Sequence, residues 1–328
     1  MAPEPQLKAC VFYGSNGSSL IVEQGERTFR IDLEAGTAPA FRHFCTLLDG
    51  RHSLEQLAAA TGLSRGDTAG LVDALSEADL LVARGPADRV DGAAFCEALG
   101  AAARMWRRHM LSHRLFDDLL AAGPDDPLLA AMLIETLFYV RFSEEAVGLA
   151  CAGGLDQPYA EILVALRESE RGHDEYILEC LDNIGLPGER LAQLRPSLAT
   201  EAVGLFLKES ARRDPIVFLA LLSLTESSPG DVALGVEYVR ELERVFRLAP
   251  GALRGLSAHL ELDSAEGHSS SLERALASGV ALDSARADDI VDCVHRFKHF
   301  MDGMNDWIAG CGKGAARGVS AIRYAQIA

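Results

Sequence analysis

Aromatic residues are scarce in this chain, 6% of 328 positions, while alanine and leucine dominate, a balance that favours helix over sheet. No run of about eighteen or more apolar residues is free of a charge or a turn signal, so no membrane-spanning helix is expected. The first residues, Met1-Ala-Pro-Glu-Pro-Gln6, lack a basic segment followed by an apolar one, and no secretory signal is visible. The seven cysteines include no C-x-x-C pair. Scattered in this way, they read as reduced, mostly buried thiols of a cytoplasmic protein. Positive charge is in deficit as well: 31 Lys and Arg against 48 Asp and Glu give a formal net charge of −17. Such a field repels nucleic acid and anionic lipid, so neither is expected as a partner. No repeat or low-complexity tract is evident. What is present is apolar residue enough for a sizeable core, in a chain long enough for two domains.

Residues 1–86 differ in character from the rest. Leu7–Tyr13 and Leu20–Leu33 are rich in Val, Ile, Phe and Thr and are separated by Gly14-Ser15-Asn16-Gly17; Gln24-Gly25-Glu26 interrupts the second run, so it reads as a hairpin. Three short helices follow. The first covers about Ala38–Leu48 and stops at Asp49-Gly50. Ser53 opens the second, with Gln56 completing a capping box. Gly62 ends it, and Ser64 with Asp67 starts the third. Leu80-Leu81-Val82 is expected to return as a short strand. The pattern predicts a small α+β winged-helix domain. Its third helix has Arg65 as its only basic residue, against Asp67, Asp73, Glu77 and, at its end, Asp79. A phosphate-facing recognition helix needs the opposite balance, so DNA binding is not expected.

Leu47-Leu48-Asp49-Gly50-Arg51-His52-Ser53-Leu54-Glu55-Gln56-Leu57 and the following Leu71–Leu81 segment resemble the peptide-recognition module of ribosomal-peptide modification pathways. That module is similar to the small pyrroloquinoline-quinone chaperone (PqqD-like). The resemblance implies that the leader of a precursor peptide adds a strand to the sheet edge beside the third helix. Backbone hydrogen bonds would give affinity and alternate side-chain pockets specificity. The plainer reading is a structural appendage or dimerisation wing.

Arg84-Gly85-Pro86-Ala87-Asp88 is the best linker. Residues 87–328 then read as helices, with spans expected at 91–121, 127–152, 157–184, 198–212, 215–227, 230–247, 250–276 and 284–310. Glycine and proline pairs such as Gly123-Pro124, Pro229-Gly230 and Pro250-Gly251 mark the breaks. Glu170-x-x-His173 falls inside the third span. A step of three residues turns a helix by about 300°, so both side chains project from nearly one face. His259 and Asp263 form a second pair, one helical turn apart. His268 would point about 140° away from Asp263 in an ideal helix. A bulge near Gly267 would restore its facing, and Glu266 is the substitute if it does not. Glu135 lies in the apolar segment Met132–Phe138, and Glu226 ends the apolar run Phe218–Leu224. An ionised glutamate on an apolar face calls for a partner or a cation. Four carboxylates and three imidazoles make a donor set suited to two iron or manganese ions.

Taken in order, Glu135, Glu170 with His173, Glu226, and His259 with Asp263 resemble the ligand series of the heme-oxygenase-like dimetal oxidases. Their helical fold is shared with pyrroloquinoline-quinone synthase and thiaminase. His268 departs from that pattern by lying two residues late. The resemblance implies an all-α domain holding two Fe(II), with manganese as the alternative metal and O2 as co-substrate. It also implies oxidation of an amino-acid-like substrate by N-oxygenation, C–C cleavage or desaturation. With the N-terminal module, the substrate becomes a precursor peptide. A homodimer is compatible with this fold.

Several rivals bear on the same residues. A ferritin-like bundle supplies two ExxH motifs, whereas one occurs here. A cofactor-free synthase of the same fold would leave the acid-rich set without a purpose. A thiaminase-type hydrolase needs a nucleophilic cysteine, for which Cys151, Cys180 and Cys293 show no activating neighbour. Heme would look to His109 or His113, whose setting reads as an amphipathic face. Asp292, His295 and His299 share a face of the last helix and form a rival metal group. From another class stands a non-catalytic peptide- or metabolite-binding scaffold.

Overall fold

The computed structural model describes residues 4–15, 19–82, 90–154, 156–225, 229–266 and 270–312. The chain divides into two compact units, Met1–Trp106 and Arg107–Ala328. The expected linker at 84–88 lies outside the described residues.

The first unit opens on three antiparallel strands in the order β1 (Val11–Ser15), β2 (Ser19–Gln24) and β3 (Arg27–Asp32). The run Leu20–Leu33 forms, as β2 and β3, the hairpin expected from its interruption at Gln24-Gly25-Glu26. Gly25 turns between them at φ +59°, a conformation that favours glycine, and Leu20 then pairs with Ile31. Three helices follow, α1 (Ala38–Thr46), α2 (Leu54–Thr61) and α3 (Arg65–Glu77). The capping box at α2 is formed. Ser53 N–H donates to Gln56 Oε1 at 2.8 Å, and Gln56 N–H returns to Ser53 Oγ at 3.3 Å. Gly62 ends that helix in the left-handed region, and Ser64 caps α3 by accepting from Asp67 N–H at 3.1 Å. The short strand expected at 80–82 is a single bridge, Leu7 to Leu81. Leu20, Phe41, Phe44, Leu48, Leu57, Leu75 and Leu80 close a core between sheet and helices. Helix α4 (Gly92–Leu111) follows.

The second unit is helical among the described residues. It comprises α5 (Arg114–Ala121), α6 (Leu128–Gly154), α7 (Ala160–Ser169), α8 (His173–Asn183) and α9 (Gly188–Leu191). Then come α10 (Leu198–Arg213), α11 (Pro215–Thr225), α12 (Pro229–Val245), α13 (Arg254–Glu266), α14 (Ser271–Ala277) and α15 (Ser284–Ala309). Helix α11 is buried on nearly every side, as a uniformly apolar helix must be. It packs on α10, α14 and α15, while α6 supports α7, α8 and α10. Helices α8, α12 and α13 form a further packed group, with α13 in contact with both others.

Three expected spans break where continuity was anticipated. The first is interrupted at Ser112-His113, where His113 Nδ1 accepts from Leu115 N–H at 3.1 Å and so caps α5. The third breaks at Gly172, φ +82°, so Glu170-x-x-His173 straddles two helices instead of lying within one. The span 250–276 starts only at Arg254, after a turn through Gly251 at φ +82°, and is divided into α13 and α14.

Candidate metal centre

Glu170 caps the C-terminus of α7, its N–H bonding Leu166 O at 2.9 Å. Gly172 then takes a left-handed conformation and His173 opens α8. The turn returns the two side chains to each other: Glu170 Oε2 stands 3.6 Å from His173 Nδ1, and both residues are buried. Asp174 and Glu175, in the first turn of α8, complement the positive end of its dipole. Asp174 also receives Arg141 of α6 at 3.0 Å, fixing the start of α8 against that helix.

Helix α13 brings the second pair. His259 Nδ1 lies 3.0 Å from Asp263 Oδ2, and the other oxygen of Asp263 is 3.9 Å from His173 Nδ1. One ligand atom each from His173, His259 and Asp263 falls within 4.8 Å of the others. The close approach of α8 and α13 requires Gly255. A Cβ there would sit 2.1 Å from the Tyr176 carbonyl oxygen. Tyr176 itself is a residue that sequence reasoning missed. Its ring lies edge-on to both imidazoles, with centroids 6.2 Å from His173 and 6.4 Å from His259. Its place three residues after His173, on the same face of α8, was the available signal.

The arrangement fits a metal ion by a simple measure. A metal–nitrogen bond of about 2.0–2.1 Å puts an imidazole centroid about 3.2 Å from the ion. Two such rings on one ion are then about 4.5 Å apart at a right angle and about 5.2 Å apart at a tetrahedral one. The His173 and His259 centroids are 5.0 Å apart. Two buried carboxylates beside them supply the negative charge that a divalent cation would balance.

The remaining predicted ligands are not brought to this group in the same way. Glu135, on α6, is fully buried. Its carboxylate accepts from Ser197 N–H at 3.1 and 3.3 Å, at the N-cap of α10. Glu226 and His268 lie outside the described residues, as does the side chain of Glu266. Among the rivals, Cys151, Cys180 and Cys293 have thiols pushed upward chiefly by burial, the opposite of an activated nucleophile. His113 is engaged as a helix cap, and its Nε2 faces Asp306 at 3.3 Å. Asp292 pairs with Arg296 at 3.8 Å.

No protein-family model and no curated protein matches the sequence. Solved structures do match in shape. A domain of unknown function with a heme oxygenase-like fold, from Shewanella denitrificans OS217, is 18% identical with a TM-score of 0.55, covering 67% of this chain and 92% of its own. A TenA homolog from Pseudomonas syringae pv. tomato is 12% identical with a TM-score of 0.51, covering 67% of this chain and 97% of its own. These likenesses establish a heme oxygenase-like, TenA-like helical fold. No helix among the described residues is long and apolar enough to cross a membrane.

Proposed function

We propose that residues 87–328 form an O2-dependent non-heme oxidase or oxygenase whose metal centre is built on Glu170, His173, His259 and Asp263. Residues 1–86 are its winged-helix, PqqD-like partner element, which holds the leader of a ribosomally made precursor peptide. The observation that carries the reading is the convergence of His173, His259 and Asp263 inside a heme oxygenase-like fold. Glu135, Glu226 and His268 would complete a second ion's ligands, iron or manganese. When bound, the metals supply the activation of O2 that oxidises a carbon or nitrogen of the substrate.

The chain's own residues prepare that chemistry. His173 and His259 bind as neutral imidazoles, so any proton on the ligating nitrogens must leave on loading. Asp263 orients His259 through their 3.0 Å contact and turns its other oxygen toward His173, at 3.9 Å. Glu170 approaches the same His173 nitrogen, at 3.6 Å. Burial of His173, Glu170 and Asp263 limits water at the centre. In the first unit, β3 pairs only with β2 among the described strands, leaving an edge beside which a peptide strand can add. Tethering the leader there raises the local concentration of the modifiable end.

A second reading has its own support. Two histidines and one carboxylate are also the facial triad of mononuclear non-heme iron enzymes, and Glu135 is engaged by Ser197. Anaerobic Fe(II) titration of the whole chain separates the cases. Two equivalents support the dinuclear centre, one supports the triad, and none supports a non-catalytic scaffold. Asp263→Ala should weaken the first equivalent at least about tenfold, since even outer-sphere changes at metal sites cost that much. Deleting residues 1–86 should leave iron binding in place and sharply reduce turnover of the precursor. Equal turnover with and without the segment would refute the leader-holding role.

A further inference from the structure

Helix α15 carries two imidazoles that the centre on α7, α8 and α13 does not use. His295 and His299 lie one turn apart, their ring centroids 4.6 Å apart and their planes inclined by 57°. The i, i+4 spacing places both on one helical face, the spacing by which helices offer two histidines to a single cation. The same ring measure applies here: two imidazoles at right angles on one ion stand about 4.5 Å apart for bonds of about 2.0–2.1 Å. We propose that His295 and His299 form an accessory bidentate site for a borderline divalent cation that prefers nitrogen, with Cu2+ held most strongly, then Ni2+ or Zn2+.

Two features of the surroundings bear on it. Both residues are exposed, so a hydrated ion can reach them and water can fill its remaining positions. The nearby positive charge, Lys298, is buried and bound to Asp302 at 2.5 Å. The Asp302 carboxylate offsets part of the Lys298 charge at both imidazoles. Oxygen-seeking Mg2+ and Ca2+ have too few hard donors here.

The test uses the full chain carrying His259→Ala and Asp263→Ala, which removes the other converging group, titrated with Cu(II) and followed by electron paramagnetic resonance. The expected result is one bound equivalent whose spectrum shows coupling to two nitrogens. Adding His299→Ala should weaken that binding at least about tenfold and leave coupling to one nitrogen. His299→Gln, which keeps bulk and helix propensity, should do the same if the alanine variant folds poorly. Cu(II) affinity and spectrum unchanged after replacement of both His295 and His299 would overturn the proposal.

Discussion

Glu135 illustrates what one buried carboxylate can be asked to do. It is fully buried on α6, and its oxygens accept the N–H of Ser197, the residue that caps α10. That bond joins two helices and places negative charge at a helix N-terminus, where the dipole favours it. Glu135→Ala would leave the Ser197 amide buried without its acceptor. A loss of about 1–3 kcal/mol is expected, measured as a lower urea midpoint at unchanged slope. Glu135→Gln keeps an acceptor oxygen and should lose less. If Glu135 also holds the second metal, both variants bind one equivalent of iron where the parent binds two. The apolar setting of Met132, Leu133, Ile134 and Leu137 points to burial of this residue, with a surface position as the alternative. It could not distinguish a cation from an amide as the partner, since Ser197 lies 62 residues away. His259 and Asp263 were easier to read, their contact being set by one turn of a single helix.

Between helices, geometry rests on small residues whose role composition does not reveal. The pairing of Glu170 with His173 was read from a continuous helix, yet it is made by a break. Gly172 takes a left-handed conformation and interrupts the helix between α7 and α8. Nothing in the apolar periodicity marks that point, and a lone glycine inside a helical pattern is commonly tolerated. Gly255 and Gly204 offer a paired experiment on close packing. At Gly255 an added Cβ meets backbone, the Tyr176 carbonyl at 2.1 Å, so α8 and α13 must separate. At Gly204 it meets the Phe142 ring, with the nearest atom at 2.2 Å, on the α6–α10 interface. Both alanine variants should lose about 1–3 kcal/mol of stability, the usual cost of overpacking. Only Gly255→Ala should also weaken metal binding, because a site tolerates displacement of its ligands by only about 0.5 Å. Calorimetric titration with Mn(II) on both variants decides the matter. Equal affinity in the two would mean that the α8–α13 approach does not set the site.

For the whole molecule, the sequence reading of a β-containing start followed by a helical body holds, because binary patterning and cap residues act locally and were all present. The distribution of thiols is a further whole-chain property with a measurable consequence. None of the seven cysteines is in a disulfide, and five are buried. Burial, ahead of any neighbouring charge, pushes Cys10 and Cys45 in the first unit and Cys311 in the second up to about 12. An unfolded thiol ionises near 9, so between 9 and 12 the unfolded chain sheds protons that the folded chain retains. Linkage then favours unfolding as pH rises. The stabilisation is fully present below about pH 9 and is lost progressively towards 12. Urea midpoints should therefore stay level from pH 7 to about 8.5 and fall steadily above 9. Lysine and tyrosine side chains titrate in the same window, so the comparison must be made against Cys45→Ala. That variant starts from a lower midpoint, through loss of a buried side chain, but should fall less steeply with pH because one linked proton is gone. Parallel slopes for the parent and Cys45→Ala would show that this thiol ionises alike in both states, and that its burial does not couple folding to alkaline pH.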